Sequence, residues 1–505
     1  MGARFILRVR VVAFFLVLIA VVIVARLYQL QIMHGESYAA RADAQLVVPT
    51  TPLLDRNSIF FTDKLGHETT AATLSPVATS SQRQRFYPAG SLASHVIGFV
   101  AYNNDDVQKG RYGLERYYEQ TLGSDSNDVY ANFFVALFGG VKEVLRGETQ
   151  EGNLITTIEP TVEAELERTL FEYAKKWNPR QVGGIIMDPR SGEIVGMAVY
   201  PTFDLNEFSK EKDFSIFGNP LVEGVFEMGS IIKPLTVAAG LDAGVITAAT
   251  MYNDMGSLEL DGKKISNFDG RARGVVPVQE VLNQSLNLGA AFVAGKLGPE
   301  HMREYFLNRY KLGEETGIDL PGEVRGLMDN LDSPRRVEYA TAAFGQGIAM
   351  TPIATVRALA TLANGGLLIT PHVVKAVRQN SGIRRNLGWS EGEQVLKKES
   401  SIEISRMLTE VVDTALAQGV LKLPDHSVAA KTGTAQIANP AGGGYYEDRF
   451  LHSFFGYFPS YDARFLIFLF ALEPTGAPFA SQTLAPPFHT LTKFLINYYD
   501  VPPDR

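Results

Sequence analysis

The feature that most constrains the fold is a set of strand-like apolar runs split between two distant parts of the chain. Two of them, in "GGIIMDPRSGEIVGMAV" (183–199), flank turn-forming residues and predict a β-hairpin. Three more, "VAAKTGTAQ", "HSFFGYFPS" and "FLIFLFALEP", follow between residues 428 and 474. The block between, from about 230 to 420, has a mostly helical pattern. The sequence therefore predicts an α+β fold, with one antiparallel sheet whose strands meet across a long, mostly helical insertion and are flanked by helices.

A second unit precedes this one. Residues 31–155 contain short strand-like runs such as "NSIFFTD" and a helix-like segment, "RYGLERYYEQTLG" (111–123), separated by turn residues. The pattern changes near residue 155, after which Glu159 and Pro160 open a helix with apolar residues at spacings of three and four. With 505 residues, of which 46% are hydrophobic, the chain is long enough for two or three folded units. We divide it into an N-terminal module (31–155), a pedestal with no catalytic motif, and a C-terminal domain (156–505).

The N-terminus predicts a membrane anchor. The run "VVAFFLVLIAVVIVA" (11–25) is apolar and uncharged, and we place a transmembrane helix at 11–30 after a short tail, 1–10. A cleaved signal peptide and a buried core helix are the alternatives, but no small-x-small cleavage site follows the run and the helical pattern continues beyond it. Arg4, Arg8 and Arg10 favour a cytoplasmic tail, so the rest of this single-pass protein is expected outside the cell membrane.

Composition excludes several functions. The chain has no cysteine, which rules out disulfides, thiolate zinc sites and a thiol nucleophile. Its net charge of −8 offers no basic stripe to match a phosphate backbone, so we expect no nucleic-acid partner.

The stretch "FEMGSIIKPLT" (226–236) places a serine three residues before a lysine. On a helix, Ser230 and Lys233 would share one face, within hydrogen-bond reach. Gly229 permits a tight entry turn and Pro234 is tolerated only in the first turn, so we expect the helix to begin at about Ser230. A lysine can activate a serine nucleophile if burial and a nearby cation lower its pKa.

The other candidates for a serine nucleophile and its base are weaker. Ser209 and Lys212 have the same spacing but lie in a charged segment without a glycine entry. The histidines have no recognisable triad context, and we interpret most of them as solvated or structural. They are His34, His67, His95, His301, His372, His426, His452 and His489.

Two further motifs follow in order. Ser285 and Asn287, in "VLNQSLNLGAA", supply a hydroxyl and an amide, although alone they could be a polar patch between helices. Lys431 begins "KTGT" at the end of an apolar run, where Gly433 permits close backbone approach and the hydroxyls of Thr432 and Thr434 can hold a carboxylate. Ser-x-x-Lys, Ser-x-Asn and Lys-Thr-Gly in this order are the motif set of penicillin-recognising serine enzymes.

Over nearly its whole length the chain resembles class B penicillin-binding proteins, the membrane-anchored peptidoglycan D,D-transpeptidases. Besides the three motifs, "AFGQGIAMTP" (343–352) is similar to the family's Gly-Gln-Gly stretch, and "RFYPAGSLASHVIGFV" (85–100) to its N-terminal module. The chain departs from the family where "TTPLLDRNS" (50–58) lacks the usual Arg-Gly pair. The resemblance implies a penicillin-binding, serine β-lactamase-like transpeptidase domain, and the N-terminal module leaves no room for a glycosyltransferase domain.

The resemblance also implies residue roles. Ser230 would attack the D-Ala-D-Ala donor peptide, Lys233 would take its proton, and Ser285 would relay a proton to the leaving D-alanine. Asn287 would hold the peptide amide, and Lys431 would tune the field. The remaining implied roles are the binding of the terminal carboxylate and the oxyanion hole. Thr432 and Thr434, on either side of Gly433, would bind the carboxylate. The backbone N–H groups of Ser230 and Thr434 would form the oxyanion hole.

The expected partners are peptidoglycan stem peptides (a D-Ala-D-Ala donor and an amine acceptor), β-lactams as inhibitors, the membrane, and a SEDS-family glycan polymerase. We expect no metal or organic cofactor. A D,D-carboxypeptidase, a serine β-lactamase, a β-lactam sensor and a non-catalytic scaffold remain alternatives, because they share the fold.

An apolar segment, "ANFFVALF" (131–138), is the candidate contact with the polymerase or the outer leaflet. Its apolar side chains are Phe133, Phe134, Leu137 and Phe138. Burial of the same side chains in the pedestal core is the alternative interpretation.

Overall fold

The computed structural model describes residues 56–76, 83–102, 108–123, 151–439 and 443–505. The predicted anchor (11–30) and the apolar segment 131–138 lie outside these ranges. Within them, every helix is too short or too polar to cross a bilayer.

The secondary structure alternates short strands with helices. The described strands, in chain order, are β1 (Ile59–Thr62), β2 (Glu68–Pro76), β3 (Arg83–Phe86), β4 (Val100–Tyr102), β5 (Gln108–Gly110), β6 (Gly152–Thr156), β7 (Gln181–Met187), β8 (Ile194–Tyr200), β9 (Met251–Asp254), β10 (Ser257–Leu260), β11 (Lys263–Ser266), β12 (Gly274–Pro277), β13 (Leu367–Leu368), β14 (Val374–Gln379), β15 (Arg384–Asn386), β16 (Glu393–Gln394), β17 (Ala429–Ala438), β18 (Tyr445–Phe458) and β19 (Phe465–Leu472).

The described α-helices, in chain order, are α1 (Ser94–Ile97), α2 (Gly113–Tyr117), α3 (Glu119–Leu122), α4 (Pro160–Trp177), α5 (Pro220–Glu223), α6 (Lys233–Asp242), α7 (Gln279–Asn283), α8 (Asn287–Arg303), α9 (Arg336–Ala342), α10 (Pro352–Ala363), α11 (Lys398–Glu410), α12 (Ala480–Thr483) and α13 (Ala485–Tyr498).

The predicted antiparallel sheet is confirmed. Its strand order is β17-β18-β19-β7-β8, so the early hairpin β7–β8 joins the three late strands through the antiparallel pair β19–β7. In β19 every residue from Phe465 to Ala471 is buried, as expected for a central strand covered on both faces. The sheet therefore closes across the insertion, and β17, which carries the Lys-Thr-Gly motif, lies at its edge.

Helices cover both faces of this sheet. On one face, α4 packs against β8, and α13 packs against α4, β18 and β19. On the other face, α10 contacts β19 and α11 contacts β17, and both helices contact α6. The side chains of α6 are almost all buried, which makes it the central helix of the domain.

The insertion contains more β-structure than its sequence pattern predicts. Two small antiparallel pairs, β9–β12 and β10–β11, precede α7 and α8. Their strands are four residues long and largely exposed, so their apolar periodicity is too weak to detect from sequence.

A second sheet joins the N-terminal module to the rest of the chain. Its order is β15-β14-β6-β1-β2-β3, with β6 parallel to β1 and antiparallel to β14. Strands on both sides of residue 155 therefore belong to one sheet.

Three segments of the N-terminal module converge on a buried carboxylate. Glu115 accepts hydrogen bonds from Arg56 Nε at 2.7 Å and Arg85 Nε at 2.6 Å, and all three side chains are nearly inaccessible to solvent. Arg56 also pairs with Glu119 at 2.8 Å. These two arginines lower the pKa of Glu115 against the opposing effect of its burial. The cluster ties the "RNS" (56–58), "RFYPAG" (85–90) and "GLERYY" (113–118) segments together.

Candidate active site

The Ser-x-x-Lys motif lies on a tight turn that leads into α6. Residues Gly229–Ile232 form a 3₁₀ turn, and the α-helix begins at Lys233 with Pro234 in its first turn. The helix thus begins three residues later than its sequence predicts, because a 3₁₀ turn replaces the first α-turn. Ser230 lies in this turn and is half-buried.

Glycine at position 229 is required by close packing. Gly229 has a φ of +65°, and a Cβ there would approach Thr434 O at 3.1 Å. Its N–H donates to the carbonyl of Gly345, in the predicted Gly-Gln-Gly stretch, at 3.2 Å. The nucleophile turn is therefore held between the Lys-Thr-Gly strand and this second glycine loop.

Lys233 is fully buried and points at the second motif. Its Nζ donates to Ser285 O at 2.5 Å and lies 3.1 Å from Ser285 Oγ. Among the described residues these are its hydrogen-bond contacts, so Lys233 is engaged with Ser285 rather than with Ser230. Ser230 lies in the 3₁₀ turn and Lys233 begins the helix that follows it, and the hydrogen bonds of Lys233 go to Ser285 instead of the predicted partner Ser230.

The Ser-x-Asn motif is shaped by the residues around it. Ser285 has a φ of +55°, a left-handed conformation that is strained for a residue with a Cβ. Leu286, which follows, is fully buried, and α8 begins at Asn287. Asn287 Nδ2 donates to Ser266 O at 2.9 Å, which leaves its Oδ1 to accept a bond from a ligand.

Lys431 completes the contact between the motifs. Its Nζ lies 3.1 Å from Ser285 Oγ and 3.0 Å from Thr432 O, and its side chain is almost fully buried. Ser285 Oγ therefore touches the amines of both Lys233 and Lys431. A hydroxyl in this position can accept a proton from one amine and donate its own to the other.

The environment lowers the pKa of both amines. Burial is the larger cause for Lys233, and the positive charge of Lys431 adds to it, so the pKa of Lys233 lies well below its usual range. Burial alone lowers the pKa of Lys431 to about 7. The lowered pKa of Lys233 favours its neutral form, and Lys431 still carries a substantial fraction of a positive charge at neutral pH.

The last motif residues lie on the edge strand β17. Thr432 and Thr434 are partly exposed, whereas Gly433 between them is buried. Thr434 Oγ1 accepts a hydrogen bond from the backbone N–H of Ala480 at 3.1 Å. Since the three motifs come from the 3₁₀ turn that leads into α6, the turn before α8 and β17, folding brings together residues as far apart in the sequence as Ser230 and Thr434.

The weaker sequence candidates lie outside this cluster. Ser209 is exposed on a short 3₁₀ turn at Phe208–Lys210. His95, His372 and His452 are buried, and burial lowers the pKa of each to about 4, so they are neutral structural residues at physiological pH.

Two supporting residues were missed by sequence reasoning. Asn267 accepts the N–H of Leu288 at 3.2 Å and donates to Asp254 at 2.9 Å, which fixes the start of α8. Ser453 donates to Met228 O at 2.8 Å. The asparagine falls in a polar loop, and the serine falls in an apolar strand directly after His452, so neither has a motif that would mark it.

The sheet, its helical layers and the clustered Ser-x-x-Lys, Ser-x-Asn and Lys-Thr-Gly motifs define the class of penicillin-recognising serine proteins. The sequence matches the family described as the penicillin binding protein transpeptidase domain over residues 182–492. The chain belongs to this family.

Relatives and solved structures support this assignment. The chain is 30% identical to stage V sporulation protein D of Bacillus subtilis over 435 residues, 83% of this chain and 65% of that protein. It is also 30% identical to the probable peptidoglycan D,D-transpeptidase FtsI of Caulobacter vibrioides over 409 residues, 79% of this chain and 62% of that one. The chain therefore spans slightly less than two thirds of these relatives.

A solved structure matches over most of its length. Penicillin binding protein 3 of Mycobacterium tuberculosis, complexed with aztreonam, superposes with a TM-score of 0.76 and 26% identity. The match covers 90% of this chain and 98% of that one. The predicted transpeptidase fold is confirmed.

Proposed function

We propose that this protein is a peptidoglycan D,D-transpeptidase that cross-links stem peptides through an acyl-enzyme on Ser230. The observation that carries the proposal is the contact of Ser285 Oγ with the amines of Lys233 and Lys431, each at 3.1 Å, beside the nucleophile turn. Family membership and the names of the relatives support the same activity.

Acylation would begin with Ser230. Its hydroxyl attacks the carbonyl of the penultimate D-alanine, and Lys233, whose pKa is lowered by burial and by the charge of Lys431, accepts the proton. Lys233 gives this proton to Ser285, which passes its own proton to the amine of the leaving D-alanine. The C–N bond of the peptide breaks as the ester with Ser230 forms.

Donor binding would use the edge strand β17 and the Asn287 amide. The terminal carboxylate lies against the hydroxyls of Thr432 and Thr434 and the positive field of Lys431. Asn287 accepts the peptide N–H. The backbone N–H groups of Ser230 and Thr434 form the oxyanion hole, where each such donor stabilises the transition state by about 3 kcal/mol.

The acyl-enzyme would then react with an amine of a second stem peptide. The amine attacks the ester carbonyl and releases Ser230, and the new amide joins two strands. Lys233 can accept the proton of the attacking amine and return it to the oxygen of Ser230, which restores the hydroxyl.

The acylation step is tested by labelling with a fluorescent penicillin. A β-lactam presents a strained amide and a carboxylate to the same groups as D-Ala-D-Ala, so we expect a stable ester. Mass spectrometry of a tryptic digest should place the adduct on Ser230. An adduct on Ser209 or Ser285 instead would overturn the assignment.

The fate of the acyl-enzyme separates the alternatives. A transpeptidase transfers the acyl group to an added amine and yields cross-linked strands, whereas a carboxypeptidase or β-lactamase releases it to water. A sensor keeps the ester. Release of uncross-linked tetrapeptide alone, with an amine acceptor present, would refute the transpeptidase proposal.

We further propose that residues 11–30 anchor the protein in the cell membrane, with the catalytic domain outside. The apolar run and the arginines before it support this orientation. Protease added to intact spheroplasts should digest the catalytic domain, and its protection there would show the opposite orientation.

A SEDS-family glycan polymerase is the proposed membrane partner, and the segment 131–138 is its proposed contact. Burying four such side chains would contribute about 6 to 10 kcal/mol. The double variant Phe133→Ser, Phe138→Ser should keep the melting temperature of the full chain and lose co-purification with the polymerase. A lower melting temperature with normal co-purification would place these side chains in the pedestal core.

A further inference from the structure

Strand β18 reaches the nucleophile turn through one serine. Ser453 lies directly opposite Gly433 in the β17–β18 pair and is fully buried. Its Oγ donates a hydrogen bond to Met228 O at 2.8 Å. Met228 is two residues before Ser230 and is itself fully buried.

The hydroxyl of Ser453 occupies the space that a side chain at position 433 would need. A Cβ on Gly433 would overlap Ser453 Oγ and would lie 2.7 Å from Met228 O and 3.1 Å from a methyl group of Ile231. Directly opposed residues of an antiparallel pair project their side chains on the same face of the sheet. The hydroxyl of Ser453 therefore passes over Gly433 and reaches the carbonyl of Met228.

This hydrogen bond ties the segment before Ser230 to β18, which in turn pairs with the strand β17 that carries Thr434. Met228 leads through Gly229 to Ser230, and Gly433 leads to Thr434 on the neighbouring strand. Gly229 also packs close to Thr434 O, since a Cβ at position 229 would lie only 3.1 Å from that oxygen. Ser453 thus fixes the distance between the segment that carries the Ser230 N–H and the strand that carries the Thr434 N–H.

We infer that Ser453 is a positioning residue for the oxyanion hole, and that position 433 is a glycine because the hydroxyl of Ser453 must pass over it. The inference rests on the proposed function. An oxyanion hole works only while its donors stay about 2.7 to 3.1 Å from the developing charge. A small displacement of one segment therefore lowers the acylation rate more than the affinity for the unreacted ligand.

The test uses Ser453→Ala in the full chain. We expect the first-order acylation constant for a chromogenic cephalosporin to fall at least about tenfold, while the pre-acylation dissociation constant stays within about twofold. The affinity for a boronic acid, whose tetrahedral adduct on Ser230 places an oxygen in the oxyanion hole, should fall in parallel. The midpoint of the pH profile should not move, because Lys233 and Lys431 are untouched.

Ser405→Ala is the matched control. Ser405 is also a buried serine, donates to Leu362 O at 3.1 Å and contacts Tyr457 OH, a residue of the same strand β18, at 2.8 Å. Both variants lose a buried hydroxyl, so both should melt at a lower temperature than the wild type. Only Ser453→Ala should lose acylation rate and boronate affinity.

Exchanging side-chain size between positions 433 and 453 distinguishes a positioning role of the Ser453 hydroxyl from simple filling of space. Gly433→Ala should lower both the melting temperature and acylation, because its methyl group overlaps the Ser453 hydroxyl. Adding Ser453→Gly removes that overlap and should recover part of the melting temperature, but acylation should stay low because no hydroxyl reaches Met228 O.

Three results would overturn the inference. The first is a Ser453→Ala variant that acylates and binds the boronate like the wild type. The second is an equal loss of acylation in Ser405→Ala, and the third is wild-type acylation in the double variant. A wild-type chain that forms no penicillin ester on Ser230 would refute the proposed function itself, whatever the variants do.

Discussion

Replacing Lys431 with methionine tests whether its charge keeps Lys233 available as a base. Burial and, second, the positive charge of Lys431 lower the pKa of Lys233. Methionine keeps the apolar length of the side chain and removes the charge. The pKa of Lys233 should therefore rise, and its neutral fraction should fall at any given pH on the acid side of the activity profile.

The structure gives the magnitude of this effect. Both Nζ atoms lie 3.1 Å from Ser285 Oγ, so they are at most about 6.2 Å apart, twice that distance. Two unit charges at this separation repel by about 2.7 kcal/mol at an effective dielectric constant of about 20. That energy corresponds to a factor of about 100 in the neutral fraction of Lys233.

The assay is the second-order acylation constant of the full chain with a chromogenic cephalosporin, measured from about pH 5 to about pH 10. In Lys431→Met the acid-side midpoint should move about two pH units toward alkaline values. The wild-type rate should also decline above about pH 7, because Lys431 then loses the positive charge that holds the donor carboxylate, and this decline should be absent in the variant.

If Lys431→Met lowers the rate equally at every pH and leaves the midpoint unchanged, the charge of Lys431 acts on the substrate and not on Lys233. Ser453→Ala serves as the control, because it is expected to lower the rate without moving the midpoint.

Three other substitutions give distinct outcomes. Lys233→Arg keeps a cation that cannot accept a proton, so acylation should fall at least about a hundredfold, and a wild-type rate by stopped flow would show that the lysine is only electrostatic. Ser285→Ala should slow D-alanine release from a peptide substrate more than β-lactam opening, because the strained lactam depends less on protonation of its leaving group; equal losses in the two assays would contradict a relay. Glu115→Gln leaves Arg56 and Arg85 facing a neutral group, so thermal unfolding should show a loss of about 3 to 5 kcal/mol, and an unchanged melting temperature would show that the cluster is not structural.

Sequence patterns predict the central sheet and the site because both depend on strong local signals. Continuous apolar runs such as Phe465–Leu472 identify buried strands, and Gly229 and Pro234 bracket the nucleophile turn. The clustering of Ser230, Lys233, Ser285 and Lys431 follows from three short motifs that do not depend on the length of the insertion between them.

The unpredicted features depend on tertiary contacts between residues with no local pattern. The bond of Lys233 to Ser285 depends on the backbone of a strained residue, whose left-handed conformation no serine preference indicates. The strand β14 joins the N-terminal sheet by pairing with β6, more than 200 residues earlier in the chain. The contact of Ser453 with Met228 needs β17 and β18 in one register, which only the folded sheet sets.

The burial that lowers the pKa of Lys431 also destabilises the folded chain at neutral pH. The pKa of this amine is lowered from 10.5 to about 7 on folding, so the unfolded chain binds the proton more tightly. Above about pH 10.5 the amine is neutral in both states and does not lower the free energy of unfolding. As the pH falls from there to about 7, the free energy of unfolding decreases by about 5 kcal/mol. Removing the amine should therefore raise the melting temperature of Lys431→Met at pH 7, the same variant that loses acylation, as expected where an active site is maintained at the expense of stability. The gain should shrink as the pH approaches 10. A variant that melts below the wild type at pH 7 would show that the bonds of Lys431 to Ser285 and Thr432 outweigh its desolvation.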